Sequence, residues 1–175
     1  MRSRRFQFIA AVAAFTFIWL WVRFPYEMGD AAKQVLGISN QLDPLTLHLH
    51  GEFVESNLGT AVAPGGAVTV RLIAQQFSFV PQCVEVPTGT PIRFRITSAD
   101  GVHRFSISGT DHELEVVPGH VSESSVQFSE PGEYKAPCHE FCGAGHYNMR
   151  SRIIVVDRHQ FQNPKPEERL TCAAR

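Results

Sequence analysis

The chain has 175 residues, a formal net charge of −1 and 43% hydrophobic residues. The near-neutral charge argues against nucleic acid as a partner, and the hydrophobic content suffices for the core of one ordinary domain. Four cysteines are too few for a scaffold held together mainly by disulfides at this length.

The N-terminus, residues 1–26, predicts a cytoplasmic tip and one transmembrane helix. Three arginines among the first five residues precede an uncharged apolar run, Phe6–Val22, and a membrane-spanning helix needs about 17–25 such residues. Trp19, Trp21 and Tyr26 would lie at the far interface, and the basic end would remain in the cytoplasm. The rest of the chain would then lie on the periplasmic or extracellular side of a bacterial cell (inner) membrane. The alternative is a signal peptide cleaved near Ala31–Ala32, although the apolar core of such peptides is usually shorter, about 7–15 residues.

Residues 27–66 are predicted to form a linker. Glycine and proline recur along this segment and no sustained periodicity is present, which is typical of a connecting region. The one element expected within it is a short helix, Ala31–Leu36.

Residues 67–157 predict a domain of β-strands. Short runs rich in β-branched residues alternate with turn signals such as Pro118-Gly119 and Pro131-Gly132, which is typical of a sandwich or barrel. No segment after the anchor holds a sustained helical period, so an α/β fold is disfavoured. The expected strands are Val68–Ile73, Ile92–Thr97, His103–Ile107, Val121–Phe128 and Ile153–Val156.

The polar C-terminal tail, residues 158–175, is predicted to be mobile. It carries Cys172, which could pair with Cys83 in an oxidising compartment or remain a free thiol. We favour free thiols, because the tail shows no packing signal, whereas an unpaired cysteine inside a domain is commonly buried.

The segment from Cys138 to Met149 carries the residues with the most distinctive chemistry. Within it, Cys142, His146 and Met149 offer a thiolate, an imidazole and a thioether, and His103 begins a predicted strand after a turn. Two histidines, one cysteine and a weak axial methionine form a copper site of the electron-transfer type. The sequence therefore predicts a copper site in the β-domain.

Cys138 adds a second thiolate four residues before Cys142. One copper ion cannot use all of these soft ligands well, whereas two copper ions bridged by two thiolates can. One histidine and Met149 would then bind the first metal, and the other histidine and the backbone carbonyl of Glu140 would bind the second. Two glycines within the segment would let it curl tightly enough for the ligands to converge.

This segment resembles the binuclear copper A loop of cytochrome c oxidase subunit II, with the pattern C-x-E-x-C-x-x-x-H-x-x-M. Residues 96–105 (ITSADGVHRF) resemble the strand and turn that supply the first histidine of the family. Val116–Gly119 and Pro131–Tyr134 resemble the turns that precede the copper loop. The resemblance covers about residues 67–157 together with the single anchor.

The resemblance implies a cupredoxin-like, Greek-key β-barrel or sandwich behind one transmembrane helix. It implies subunit II of a haem–copper terminal oxidase, in which cytochrome c reduces the copper pair and electrons pass to haem in subunit I for oxygen reduction. The expected partners are subunit I, the other oxidase subunits, a cytochrome c or similar donor, and the membrane. The chain would accept electrons for a proton-translocating oxidoreductase, with no bond chemistry and no catalytic residue of its own.

The resemblance also implies a second role for Glu140. In the family, the carboxylate at this position reaches a magnesium ion at the boundary with subunit I, and Mg²⁺ suits an oxygen ligand. The alternative is a solvent-facing glutamate on a loop.

Three departures from the family concern the electron donor. Arg104 and Arg150 stand where a small and an apolar residue are usual, and Gln76–Phe79 replaces a tryptophan-rich segment through which electrons enter. Phe77 and Phe79 are therefore candidates for accepting electrons.

Acidic residues provide candidates for docking. Between Thr97 and His146 the formal net charge is −6, from eight carboxylates and two basic side chains. Asp111, Glu113 and Glu115 could steer a basic cytochrome c towards the domain. The alternative is an ordinary solvated surface.

Two other interpretations of the ligand set remain open. The cysteines and histidines could hold a structural zinc ion, although methionine is a poor zinc partner. A C-x3-C pair behind an anchor is also similar to the Sco-type copper chaperones, which act outside the oxidase itself. Those proteins have a thioredoxin-like βαβ pattern and a histidine far downstream of the cysteines. Here one candidate histidine lies upstream and no crossover helix is predicted.

Overall fold

The computed structural model describes residues 15–19 and 42–172. Residues 15–19 are helical, and no helix of the described residues is long and apolar enough to cross a membrane. Most of the predicted anchor, the alternative cleavage position at Ala31–Ala32 and the predicted helix Ala31–Leu36 lie outside the described residues.

Residues 42–172 contain ten strands and two short 3-10 helices. The strands are β1 Gly59–Val62, β2 Val68–Gln75, β3 Ser78–Val80, β4 Cys83–Pro87, β5 Pro91–Ser98, β6 His103–Ser106, β7 Glu113–Val116, β8 Ser122–Gln127, β9 Gly132–Pro137 and β10 Arg150–Val156. The 3-10 helices are Glu55–Asn57 and His146–Asn148.

The strands form two main sheets and a hairpin. One sheet has the order β1-β2-β5-β8 with β3 also paired to β2, the second has the order β4-β10-β9, and β6 pairs with β7. Two pairings, β2 with β5 and β4 with β10, are parallel. A parallel pair needs a crossover connection rather than a tight hairpin, so the chain passes between the layers. The prediction of an all-β fold is confirmed.

All five predicted strands are confirmed, with ends that shift by three residues at most. Five further strands, β1, β3, β4, β7 and β9, were not predicted. Two of them carry charged residues on their outer faces: β7 reads Glu-Leu-Glu-Val and β9 reads Gly-Glu-Tyr-Lys-Ala-Pro. Their strand character comes from pairing with neighbours rather than from local propensity.

The core lies between the inner faces of the sheets. Along β2 and β5 the buried side chains alternate with less buried ones, as the two-residue period of a strand requires. Phe105 on β6 contacts Phe79 edge-to-face at a centroid distance of 5.0 Å and lies 5.7 Å from Phe94. Each buried phenylalanine stabilises the fold by about 1.5–3 kcal/mol, and this cluster fixes the strand that begins with His103.

The segment predicted as a linker contributes to the folded unit from Leu42 onwards. Leu47, Phe53 and Leu58 are buried against Ile73, and β1 pairs antiparallel with β2. The domain therefore begins before the predicted boundary at residue 67, because this segment covers an otherwise exposed face of the first sheet.

The C-terminal tail is attached to the domain as far as Cys172, so the prediction of a mobile tail is corrected. Cys83 and Cys172 form a disulfide across 89 residues, and the prediction of free thiols is wrong. Thr60 and Leu170 exchange two backbone hydrogen bonds of 2.9 Å, and Phe161 is buried. The tail thus adds a short bridge beside β1 and is held there covalently.

A carboxylate from the N-terminal segment joins two strands of the first sheet. Glu52 accepts hydrogen bonds from Arg71 at 3.0 Å and from Arg95 at 2.5 and 2.6 Å. Burial raises the pKa of Glu52, but the hydrogen bonds and charges of the two arginines outweigh it and hold the pKa below its usual range. Glu52 is therefore ionised in the fold at neutral pH.

Replacing Glu52 with Gln should lower the free energy of unfolding by about 2 kcal/mol at pH 7, because hydrogen bonds to charged groups are lost. The folded pKa is depressed, so this contribution is present above the pKa of the unfolded chain, about 4.3, and disappears as pH falls through the folded pKa. Urea unfolding of residues 42–175 at several pH values measures it.

Glu55→Gln, an exposed change three residues away, is the control and should shift the unfolding free energy by less than about 0.5 kcal/mol. If the free energies of unfolding of Glu52→Gln and the parent differ by the same amount down to strongly acidic pH, Glu52 is not the ionised group that stabilises the fold.

Candidate metal centre

The loop between β9 and β10 is closed at its neck by backbone contacts. The Cys138 N–H donates to the carbonyl of Met149 at 3.0 Å, and Cys138 also forms an antiparallel bridge with Phe105. His103 lies two residues before Phe105, at the first position of β6. Strand pairing therefore brings the upstream histidine beside the loop, as the sequence analysis expects.

Sulfur and nitrogen atoms converge inside this neck. The ligand atoms of His103, Cys138 and Cys142 all lie within 4.8 Å of one another. His103 Nδ1 is 4.0 Å from Cys138 Sγ, and Cys142 Sγ is 3.7 Å from His146 Nδ1 and 3.6 Å from Met149 Sδ. Two thiols, two imidazoles and a thioether thus share one small space.

A backbone oxygen completes the set. The Cys138 thiol donates to the carbonyl of Glu140 at 3.2 Å, so this oxygen faces the sulfur cluster while the Glu140 side chain is about half exposed. The structure therefore brings together all six predicted metal residues: His103, Cys138, Glu140, Cys142, His146 and Met149. Their role as ligands remains a prediction.

The site is largely dry. His103, Cys138 and Met149 are buried, and Cys142 is half-buried. Burial, followed by the adjacent Cys138 thiol, raises the pKa of Cys142 to about 11. Two neighbouring thiolates repel each other in such surroundings, and a bound metal cation provides the charge that makes deprotonation favourable.

Asp100 orients His103, a role the sequence analysis missed. Its carboxylate lies 2.7 Å from His103 Nε2 and accepts backbone N–H groups from Gln76 at 2.5 Å and Gly101 at 2.6 Å. Burial raises the pKa of Asp100, but these hydrogen bonds outweigh it and keep the pKa low. With Nε2 held by a carboxylate, Nδ1 faces Cys138 and is free for a metal. The available signal was an aspartate on the turn three residues before the histidine.

Phe77 covers the loop. A side chain at Gly145 would overlap the Phe77 ring, and a Cβ at Gly143, where φ is +131°, would lie 3.0 Å from it. The Gln76 side-chain amide donates to the carbonyl of Cys142. Glycine is therefore required where the ring presses on the loop.

Phe79 lies elsewhere. Its side chain is fully buried against Phe105, so it cannot form part of a docking surface, and its prediction as an electron-accepting surface residue is corrected.

The exposed apolar side chains around the loop are Phe141 (72% exposed), Tyr147 (85%) and Val102 (44%). The Phe141 and Tyr147 rings flank His146 at centroid distances of 5.7 and 5.4 Å. Exposure of this kind cannot be read from composition alone.

Two of the three predicted docking carboxylates lie beside an arginine, together with Glu140. Arg104 lies 3.7 Å from Glu113, 3.5 Å from Glu115 and 3.6 Å from Glu140. Asp111 is exposed beyond this group. We name these five residues the acidic cluster; its formal net charge remains negative.

Gly145→Ala tests the contact between Phe77 and the loop. The added methyl group overlaps the ring, so we expect a loss of about 1–3 kcal/mol in the free energy of unfolding and weaker metal binding. A second change, Phe77→Leu, should restore part of both. Gly65→Ala is the control, because its Cβ meets no atom within 4 Å. Equal effects of the two alanine substitutions would contradict this role of Phe77.

Comparisons with known proteins agree with this geometry. The family model for the periplasmic domain of cytochrome c oxidase subunit II matches residues 67–158. The chain is 37% identical to cytochrome c oxidase subunit 2 of Thermus thermophilus over 121 residues, 69% of this chain and 90% of that protein. It is 40% identical to heme-copper oxidase subunit 2 of Aeropyrum pernix over 80 residues, 45% of this chain and 34% of that protein.

A solved structure shows the same likeness. A chain in the cryo-EM structure of a heme-copper terminal oxidase dimer is 25% identical to this one. The alignment covers 84% of this chain and 99% of that chain, with a TM-score of 0.52. Both the family model and a relative of 37% identity point to one assignment. This chain belongs to the family of cytochrome c oxidase subunit II.

Proposed function

We propose that this chain relays electrons from cytochrome c to haem in subunit I of a haem–copper terminal oxidase, through a binuclear copper A centre bound by its β9–β10 loop. The observation that carries the proposal is the convergence of two thiols, two imidazoles, a thioether and a carbonyl at one neck of the sandwich. Membership of the oxidase subunit II family supports the wider setting of an oxidoreductase complex.

The donor set fits copper better than zinc. A structural zinc ion takes four nitrogen, thiolate or carboxylate ligands, whereas the thioether of Met149 is buried and lies 3.6 Å from Cys142. Thiolate and thioether together select copper. The Sco-type alternative has no support, because within residues 42–172 the helices are two 3-10 turns and a thioredoxin-like fold needs a crossover helix.

The chain's own residues prepare this site. Cys138 and Cys142 would bridge the two metals. One histidine and Met149 would complete the ligands of the first metal. The other histidine and the Glu140 carbonyl would complete those of the second metal. When bound, the copper pair would supply a one-electron carrier whose charge is spread over two metals. The backbone neck holds the ligands in place and the surrounding side chains exclude water, so little rearrangement is needed when the charge changes.

The disulfide supports an oxidising compartment for the β-domain. Cys83 and Cys172 are paired, and structural disulfides persist in oxidising compartments. This supports a periplasmic or extracellular copper domain. The cytoplasmic N-terminus and the other oxidase subunits in the membrane remain part of the proposal. The exposed rim of Phe141 and Tyr147 supports close contact with a donor, and Asp111, Glu113 and Glu115 would steer a basic cytochrome c.

Copper content tests the proposal directly. The copper-loaded chain should bind about two copper ions and show a mixed-valence EPR signal split by both nuclei, because both thiolates bridge. Cys138→Ser and Cys142→Ser should each abolish that signal. The control is the double variant Cys83→Ser/Cys172→Ser, which removes the other two sulfurs and should keep the copper pair if it remains folded. One copper per chain, or zinc alone, would refute the binuclear site.

Glu140 supports a second prediction, the Mg²⁺ site at the boundary with subunit I. Its carboxylate lies 3.6 Å from Arg104, so a divalent cation must compete with this arginine. In oxidase purified from manganese-grown cells, Glu140→Gln should reduce bound Mn²⁺ and leave the copper content unchanged, because the copper ligand is the backbone carbonyl. Arg104→Gln should increase bound Mn²⁺. Equal manganese EPR signals in the parent and both variants would show that the carboxylate plays no part.

A further inference from the structure

The outer face of the second sheet is positively charged next to the copper loop. Lys135 on β9 and Arg150 and Arg152 on β10 are exposed. We name these three residues the basic patch. They line one shallow cavity of about 440 Å³, whose other lining residues are Gln82, Glu133 and Ser151.

The basic patch is only partly neutralised. Arg152 lies 3.7 Å from Glu133, whereas residues 42–172 offer Lys135 and Arg150 no ion-pair partner. Three cations against one carboxylate leave a net charge of +2. Lys135 is also the register partner of Arg152, and like charges directly opposite each other destabilise a sheet. The ion pair between Arg152 and Glu133 offsets only part of this repulsion.

The basic patch lies beside the proposed copper ligands. Arg150 follows Met149 directly, and its register partner Pro137 precedes Cys138. Electron transfer slows steeply with distance, so a protein that docks on this patch would approach the site closely. A donor bound at the patch would therefore lie near the proposed copper ligands.

We infer that the basic patch binds an acidic surface of the protein that donates electrons to this subunit. The inference deepens the proposed function and rests on it. The acidic cluster lies on the other side of β9, because β6 meets β9 through the Phe105–Cys138 bridge and the Ser108 N–H donates to the carbonyl of Lys135 at 2.9 Å. Patches of opposite charge thus lie on either side of β9 and fix the orientation of a donor that carries both signs.

The test uses the purified oxidase with the full chain and two reduced cytochromes c as donors, one acidic and one basic. The variant is Lys135→Gln/Arg150→Gln. The control, Arg158→Gln, removes an exposed arginine just beyond the far end of β10. With the acidic cytochrome at low salt, the double variant should lower the second-order rate constant about tenfold and flatten its salt dependence. The control should leave the rate unchanged.

With the basic cytochrome, the double variant should react as fast as the parent or faster, because the removed charges repel that donor. Equal low-salt rates of the parent and the double variant with the acidic cytochrome would overturn the inference. So would unchanged rates accompanied by lost binding to vesicles containing anionic lipid, which would assign the basic patch to the membrane surface.

Lys135→Gln alone separates docking from a structural role. It removes the repulsion with Arg152, so the thermal midpoint should rise by about 1–4 °C while the rate with the acidic cytochrome falls. A fall in both the thermal midpoint and the rate would overturn the inference, since Lys135 would then stabilise the fold.

Copper content and reduction by ascorbate are measured first. A complex without the copper pair refutes the proposed function. A complex that holds the pair and accepts electrons from ascorbate, but is insensitive to the basic patch, refutes only this inference.

Discussion

The hydrogen bond from the Cys138 N–H to the Met149 carbonyl is the constraint on which the site depends. It closes the loop, so the first and last residues of the ligand segment become neighbours across β9 and β10. The bridge between Cys138 and Phe105 then brings His103 to the same place. Backbone pairing therefore brings side chains that are far apart in the sequence to one place.

The closed loop also determines which groups beside the site are charged. Burial beside a second thiol raises the pKa of Cys142 to about 11, so without a cation the Cys142 thiol remains protonated at neutral pH. Asp100 is the ionised group beside the site, and its hydrogen bonds keep its pKa low. One carboxylate therefore holds the His103 ring, while a nearby metal cation would favour the thiolate form of Cys142.

The sequence predicts the parts of this structure that are local. The loop ligands lie within one short segment, and β-branched runs mark the central strands. Contacts between distant residues were missed: Cys83 meets Cys172 across 89 residues, and Glu52 reaches Arg95 from a segment without periodicity. Phe77 and Phe79 show a related limit. A regular strand would put both on one face, but β3 begins at Ser78, so Phe79 enters the core and Phe77 turns onto the loop.

The two-residue period of a strand also relates the site to its outer surface. Successive side chains point to opposite faces, so a residue beside an inward ligand points outward. Met149 is buried and Arg150 exposed, and His103 is buried beside the more exposed Arg104. These arginines are two of the three departures from the family pattern described above. The predicted metal ligands and the exposed charges are thus separated by one peptide bond, so a substitution at the exposed position changes the surface without changing the predicted ligand.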